Sequence, residues 1–515
     1  MSAPVATARS AVPAPLPGCT PLFDADALRE GDRRWTEDHA LPSIILMERA
    51  GLASAEAILA RYPQRRAALV VVGPGNNGGD GMVVARHLAE AGWDVAAAAP
   101  EGREPATPDA AAMTAAARSL GIPVGTFAPS GAAGRVVVDA LLGTGASGAP
   151  RGAIGEAVDR LATIEEPVVS LDVPSGVEAG TGRAPGAAVR ADLTVTYHGD
   201  LVGLRVEPGR GLAGHVEVAD IGIPSAVRLT PVAWLAGPEA VGAVPSKAAA
   251  GDKYAAGAVL VVAGAPGLTG AGCLCARAVL RAGAGLVVAA VPAEVQPIMA
   301  SQLLEVMCAP IPDRGGHLAP ESVQAVLAQA GRTSAVAIGP GLGREGVTTA
   351  AVHELLERLE VPVVVDADGL WHLGEDLGRL AGRPAPTVLT PHTGEAGRLL
   401  GRPRREVEAA RLEAARELAA RSGAIAVLKG VGTITAAPDG RVVVNGTGTP
   451  ALASAGTGDV LTGAVAAFLS KGLDPFVAAA AAVAAHGMAG ERADRGDGTI
   501  AGDVLEALPD ALRIS

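Results

Sequence analysis

Residues 70–88 read VVVGPGNNGGDGMVVARHL, and how this stretch is read decides the fold. A β-branched run enters a loop of glycines and asparagines, and a stretch with helical spacing leaves it. Residues 73–78 spell G-x-G-x-x-G. A strand feeding such a loop into a helix turns backbone N–H groups and a helix N-terminus toward an anion. A tight turn alone would need fewer glycines. Five glycines, two asparagines and one aspartate in nine residues favour a ligand. The loop has no Lys followed by Ser or Thr, which excludes a Walker A. A plain dinucleotide fold also wants an acidic residue ending the second strand. Here that strand, 94–99, begins at Asp94 and ends in alanines.

Working outward, strands are expected at 68–72, 94–99, 135–139, 168–172 and 191–197, with helices at 81–91 and 108–120. This alternation predicts βαβ units and a mostly parallel sheet covered on both faces. Carboxyl ends of parallel strands share one edge, where ligands bind. That edge gathers Asn76, Asn77, Asp80, Asp139, Asp172 and Ser175. One aspartate there is as easily a loop cap as a ligand contact. Three, beside glycine-rich loops, make a ligand site the better reading. Clustered carboxylates with Asn and Ser oxygens also suit a cation.

The pattern weakens at 223–245, where several prolines fall, and a boundary is expected near 225–240. A second series follows, with strands at 258–263, 285–291, 335–338, 361–366, 387–390 and 424–429, and helices at 407–422, 460–469 and 477–489. No fixed-period repeat is visible. The expected organisation is a disordered tail at 1–20 and two different α/β domains, at 21–228 and 229–515. In the second, residues 455–459 (AGTGD) would set backbone amides at a helix N-terminus, an anion hole for a phosphoryl group. Asp459 beside them could accept a proton from an attacking hydroxyl. Lys429 is one of only four lysines. His392, taken alone, reads as structural.

Composition narrows the function. The 515 residues carry 42 basic and 54 acidic side chains, a formal charge of −12, which argues against nucleic acid and anionic membrane. Aromatics make up 2%, too few for a base-stacking platform. Four cysteines without a C-x-x-C pair suit a reducing, cytoplasmic setting. The first 18 residues lack the continuous apolar run of a signal peptide. The uncharged stretch 255–276 is broken by Gly264, Pro266, Gly267 and Gly270, and reads as strand, loop and helix, not as a membrane span.

Taken in order, LMERAG (46–51), NNGGDG (76–81), DALLGTG (139–145), LDVPSG (171–176) and VADIGIP (218–224) resemble the NAD(P)H-hydrate epimerase domain. The resemblance implies a Rossmann-like three-layer sandwich. It implies that the hydrated cofactor meets Asn76, Asn77, Gly78, Gly79, Asp80, Gly143, Thr144, Gly145, Ala146, Ser147, Gly148, Ala149 and Asp172. It implies a potassium ion on Asn77, Asp139 and Ser175, with Asp139 also as acid/base. Where that family usually has a Lys, this chain has Leu201, and His198 or Arg205 stand nearby as replacement charges.

The second half resembles the ribokinase-like superfamily through GTGD (456–459). More narrowly it resembles the NAD(P)H-hydrate dehydratase, through LTGAG (268–272), GPGLG (339–343), VVVDADGL (363–370), LTPHTGE (389–395), LKGVGT (428–433) and AGTGDVLTG (455–463). This implies hydrated cofactor on Ala271, Gly341, His392 and Asp459. It implies adenine nucleotide on Lys429, Gly430, Val431, Gly432, Thr433 and Gly458. ADP is the implied co-substrate, Mg2+ its companion, and a homo-oligomer the implied assembly. The competing reading is a small-molecule kinase of the same superfamily fused to a non-catalytic binding domain.

Overall fold

The computed structural model describes residues 9–224 and 226–513. The chain divides into two units, one formed by residues 1–13 and 21–233, the other by 14–20 and 234–515.

The first unit is built on a seven-stranded, all-parallel sheet. From one edge the strands run His215–Ala219, Leu193–Tyr197, Val168–Leu171, Val136–Ala140, Ala67–Val72, Asp94–Ala99 and Val124–Thr126. The central strands are β-branched without alternation, as a sheet buried on both faces requires, and Val70, Val71, Val72 and Val136 to Val138 have no exposed surface. Each valine so buried contributes about 1.5–3 kcal/mol. Chain order reverses between Ala67–Val72 and Val136–Ala140, which opens a crevice at their carboxyl ends, the usual ligand position.

The helix after the first strand runs Asn76–Glu90, five residues earlier than the sequence reading placed it. Two asparagines and two glycines argue for a loop by propensity. Packing overrides that. A Cβ at Gly78 would sit 2.0 Å from the Gly73 carbonyl oxygen, and one at Gly79 2.6 Å from Met47 Sδ. The glycines therefore let the helix begin against the strand end, and the asparagines lie in its first turn.

The second unit holds a sheet in the order Met307–Ile311, Leu286–Pro292, Ala258–Val262, Ala335–Ile338, Val363–Val365, Thr387–Leu389, Ile425–Leu428, Ile434–Ala436, Val442–Asn445, Ala233–Ala236. Pairing is parallel through Ile425–Leu428 and antiparallel through the next two strands. The apolar helices Thr457–Ser470 and Pro475–Ala493 pack into one core with the sheet. The helix expected at 407–422 is two, Arg404–Ala409 and Arg411–Ser422, broken where Ala410 leaves helical geometry at φ −142 and ψ 54.

The segment expected as a disordered tail needs correction from residue 9 onward; residues 1–8 lie outside the described residues. Arg9–Ser10 pairs in parallel with Arg228–Leu229, and Leu16 is buried in the second unit's core. Burial of that leucine and a long-range strand partner outweigh the alanine–proline composition.

Candidate functional sites

In the first unit the strand ends converge as the carboxyl-edge argument requires. A Cβ at Gly143 would lie 2.6 Å from Asp172 Oδ2 and 3.3 Å from Asn77 Cβ, so the three expected loops meet at one point. The Thr144 N–H donates to Asp172 Oδ2 at 2.6 Å. Asp172 holds φ 67, a left-handed conformation that costs a non-glycine residue roughly 1–3 kcal/mol. Gly143, Ala146 and Gly148 line a small cleft with Leu142, Val173 and Glu178. Asn76 turns aside and accepts from the Thr107 hydroxyl.

Asn77 donates through Nδ2 to the Leu142 and Leu171 carbonyls at 3.0 and 3.3 Å. Its Oδ1 is buried and has no hydrogen-bond partner among the described residues. An orphan oxygen this deep fits a cation cradle. Ser175 lies beside it, with its hydroxyl 2.7 Å from Asp139 Oδ1.

Asp139 departs from its expected role as acid/base. It is wholly buried, and both oxygens are engaged. Oδ1 accepts from Ser175 Oγ and the Leu141 N–H, Oδ2 from Ser170 Oγ and the Ser175 N–H. Desolvation still raises its pKa, against those bonds. Four bonds fill a carboxylate's acceptor sites and leave no free oxygen for a substrate.

The carboxylates with open sides are Asp80 and Asp172, joined by Asp32, which sequence reasoning missed. Desolvation first, and then mutual repulsion with Asp172, lift Asp80 well above the usual range and Asp32 to about 7. Solvent reaches Asp32 on one side while protein crowds its carboxyl from the other. Tyr197 stands in the same field, its hydroxyl 2.9 Å from Ser54 Oγ. The only signal for Asp32 was an acid within the polar helix Ala25–Asp38. Leu201 brings no charge: it is fully buried among Phe23, Leu28 and Leu204. Nor do the expected substitutes. His198 is buried, with burial pushing its pKa down to about 4, and Arg205 is paired with Asp200 at 2.8 Å.

In the second unit, Gly456 at φ 89 starts the helix Thr457–Ser470; the Thr457 N–H donates to the Ser454 carbonyl at 3.4 Å, and among the described residues the amides of residues 458 and 459 have no partner. The Lys429 ammonium lies 3.3 Å from where a Gly458 Cβ would stand. Asp459 has no hydrogen bond to its carboxyl among the described residues. Desolvation, and then Asp366, push it up to about 7, against the pull of Lys429. Gly341 and Ala271 adjoin, since a Cβ at Gly341 would meet Ala271 Cβ at 3.3 Å. His392 caps the helix Thr393–Leu400: its Nδ1 accepts from the Gly394 N–H at 2.9 Å, and its own N–H reaches Glu395 Oε2 at 2.8 Å. Its other face is open to solvent. Residues 429–433 form a closed turn, with the Thr433 hydroxyl donating to the Gly430 carbonyl at 2.8 Å and Val431 exposed. Asp366 was passed over within its motif, although it stands at the carboxyl end of a parallel strand just as Asp139 and Asp172 do.

A parallel α/β chain with a glycine-loop crevice in each of two units, one rich in carboxylates and one carrying a lysine beside free helix amides, is a two-site nucleotide-handling enzyme. Residues 43–203 match the family model for the YjeF-related protein N-terminus, and residues 259–510 match the model for NAD(P)H-hydrate dehydratase. The bifunctional NAD(P)H-hydrate repair enzyme of Moorella thermoacetica is 41% identical, with 96% of each chain covered. The Escherichia coli enzyme of the same name is 35% identical, over 91% of this chain and 89% of its own. The solved ADP/ATP-dependent NAD(P)H-hydrate dehydratase of Bacillus subtilis, co-crystallised with ATP and Mg2+, is 32% identical; it covers 53% of this chain and 95% of its own, with a TM-score of 0.46. The chain belongs to the bifunctional NAD(P)H-hydrate repair enzymes.

Proposed function

We infer that this chain restores NADH and NADPH whose nicotinamide ring has taken up water. The first unit interconverts the R and S hydrates. The second dehydrates the S hydrate with ADP, releasing AMP and phosphate. What carries this reading is that both loop systems occur, each with its polar partners, on one chain that aligns end to end with the repair enzymes. No observation favours the alternative of a small-molecule kinase.

At the first site the ring hydroxyl leaves as water and returns to the other face. Asp80, Asp172 and Asp32 would supply and recover the proton, because among the described residues nothing hydrogen-bonds the Asp80 and Asp32 carboxyls, Asp172 keeps Oδ1 unbonded, and burial lifts all three pKa values. Gly78, Gly79 and the loop 143–149 would seat the cofactor. Asn77, Asp139 and Ser175 would hold a potassium ion, and its charge when bound offsets the surrounding carboxylates. The unpartnered Asn77 Oδ1 would meet that ion, and Asp139, whose acceptor sites are filled as the fold stands, would reach it only by giving up the Ser175 hydroxyl, which would free that oxygen too.

At the second site hydroxide is a poor leaving group, and phosphorylation makes it a good one. Asp459 accepts the hydroxyl proton as oxygen attacks the β-phosphorus of ADP, and AMP departs. The amides of residues 458 and 459 would hold the developing charge. Loss of phosphate with a ring proton then restores the dihydronicotinamide. Ala271, Gly341 and the open face of His392 would border the hydrated cofactor, and residues 429–433 with Gly458 the nucleotide. No group of three His, Cys, Asp or Glu able to hold a metal lies among the described residues, so Mg2+ would arrive on the nucleotide's phosphates. Four free cysteines support a reducing, cytoplasmic setting, and among the described residues no helix is long and apolar enough to cross a membrane. The assembly we propose is a homo-oligomer.

The test follows absorbance of reduced nicotinamide after protein is mixed with both NADH hydrates, ADP, Mg2+ and K+. Full recovery is expected. A plateau at the S fraction would remove the epimerase, and no recovery would sink the reading.

A further inference from the structure

Asp366 has no part in the chemistry just described, yet its side chain is only 2% exposed and both its oxygens are engaged. Oδ1 accepts from the Lys429 ammonium at 2.6 Å and Oδ2 from the Thr462 hydroxyl at 2.6 Å. The three residues come from three elements. Asp366 follows the strand Val363–Val365, Lys429 follows Ile425–Leu428, and Thr462 lies in the helix Thr457–Ser470. The same hydroxyl lies 3.1 Å from the Gly458 carbonyl, so its one proton is directed to Asp366 and at most shared with that oxygen, which sets the carboxylate beside the first turn of that helix.

We propose that Asp366, braced by Thr462, is a positioning residue that holds the Lys429 ammonium against the anion hole, so that this lysine neutralises the phosphoryl group in transfer instead of contacting the adenosine. The inference rests on the dehydratase reading. Its geometry is specific. One ammonium proton is committed to Asp366, and the nitrogen sits beside Gly458 at the free end of the helix. The remaining protons are available to an anion, with 18% of the side chain still exposed. A flexible lysine would otherwise lose rotamer entropy on each turnover. Fixing it beforehand is the preorganisation that makes charge stabilisation effective.

Protonation depends on the same contact. Desolvation alone would lower the lysine's pKa, and Asp366, followed by Glu395 and Asp459, holds it above its ordinary value. His392 and His486 also lie in the lysine's field, both with depressed pKa values, and the Arg411 guanidinium donates to the Lys429 carbonyl. No other carboxylate makes a hydrogen bond to this ammonium among the described residues. Asp366→Asn keeps the shape and removes the charge.

The experiment uses the full chain with S-NADH hydrate and ADP. Asp366→Asn is expected to lower kcat about a hundredfold, the scale of removing one preorganised donor, while KM for the hydrate stays within about threefold. The alkaline limb of the kcat profile should move down by about one pH unit or more. Thr462→Val keeps the ion pair but loses its brace, so it should lose about three- to tenfold with the limb displaced in the same direction. This second variant decides the matter if Asp366→Asn does not fold. Near-UV circular dichroism and the ADP-induced rise in Tm, read without turnover, establish that each variant is folded and binds nucleotide. A folded variant with wild-type kcat would overturn the proposal. So would one that loses kcat with its alkaline limb unmoved, since that marks a structural role only. Failure of the dehydratase reading itself is distinct: the unaltered protein would then produce no NADH.

Discussion

Gly78→Ala separates a glycine that merely suits a turn from one that sets the site. Gly78 lies inside the helix Asn76–Glu90, where alanine should stabilise by about 1 kcal/mol. The added Cβ would fall 2.0 Å from the Gly73 carbonyl oxygen. That oxygen belongs to backbone fixed at the strand end, where Gly73 N–H bonds to the Ala140 carbonyl at 3.0 Å. It cannot swing away as a side chain could. Overpacking of this kind costs about 3 kcal/mol at the upper end of its usual range. The net destabilisation is about 2 kcal/mol, or roughly 4–8 °C in the Tm of a domain this size. Because the shift pushes Asn77 and Asp80 out of register with Asp172, epimerisation should fall with it. Scanning calorimetry reads the first cost. The second appears as recovery of NADH from mixed hydrates that stops at the S fraction, at an unchanged initial rate. Gly75→Ala is the control, since its Cβ meets nothing within 4 Å, and its Tm should hold. A Gly78→Ala protein as stable and as active as the parent would refute the reasoning.

Three further outcomes are expected. Asp459 acts as a base only when ionised, so with its pKa raised to about 7 the dehydration rate should climb as pH rises through 7 and be lost below it; Asp459→Asn should remove both the limb and at least about a hundredfold of rate. Replacing K+ with Li+ should slow epimerisation and leave dehydration of the S hydrate intact, and Asn77→Leu, which deletes the orphan oxygen, should make epimerisation indifferent to the salt. His198 is held neutral by burial, with a pKa of about 4 against an ordinary 6.5, so its contribution is present above pH 6.5 and is lost as pH falls toward 4, by up to about 3 kcal/mol. Acid unfolding of the first unit should therefore be shallower in His198→Asn, a residue that tolerates the positive φ of 66 found there.

The buried parallel strands were legible because nothing but a sheet covered on both faces accepts runs such as Ala335–Ile338 and Val168–Leu171. Less was written locally where partners decide. Val124–Thr126 is an edge strand of three residues with two exposed, and Met307–Ile311 is an apolar but partly exposed edge strand without β-branched residues before Ile311 and with Pro310 inside it, so neither carries the signal of a buried strand. The hairpin strands Ile434–Ala436 and Val442–Asn445 are short, and their antiparallel pairing is invisible to an argument built on βαβ alternation. The site was legible at the glycine loops, whose spacing has few other uses. It was not at Asp32, which belongs to the cluster only through the fold, nor in the sealing of Asp139, which depends on Ser170 and Ser175 reaching it from the neighbouring strand and its loop. Asp366 could have been found by applying the strand-end rule evenly.

The two sites resolve opposite electrostatic problems. Among the described residues, the first gathers Asp32, Asp80 and Asp172 with no lysine or arginine bonded to any of them, and the result is carboxyls that titrate upward. The second sets Asp366 against Lys429 and, among the described residues, leaves the amides of residues 458 and 459 without a partner. When hydroxide leaves the carbon beside the ring nitrogen, the nitrogen lone pair makes that carbon an iminium cation. Carboxyls lifted above their ordinary pKa chiefly by desolvation, and at Asp80 and Asp32 also by the charge of Asp172, ionise more readily as a cation forms beside them, so the stabilisation is larger in the transition state than in the bound ground state. An anion-binding site would oppose the same step. In the second unit the developing charge is on phosphate, and lysine and amides meet it. Asp172→Asn should then slow epimerisation by about a hundredfold while binding of the hydrates, followed by calorimetry, weakens only about threefold. An equal loss in both would mean that Asp172 only holds the Thr144 loop, and the charge argument for the first site would fall.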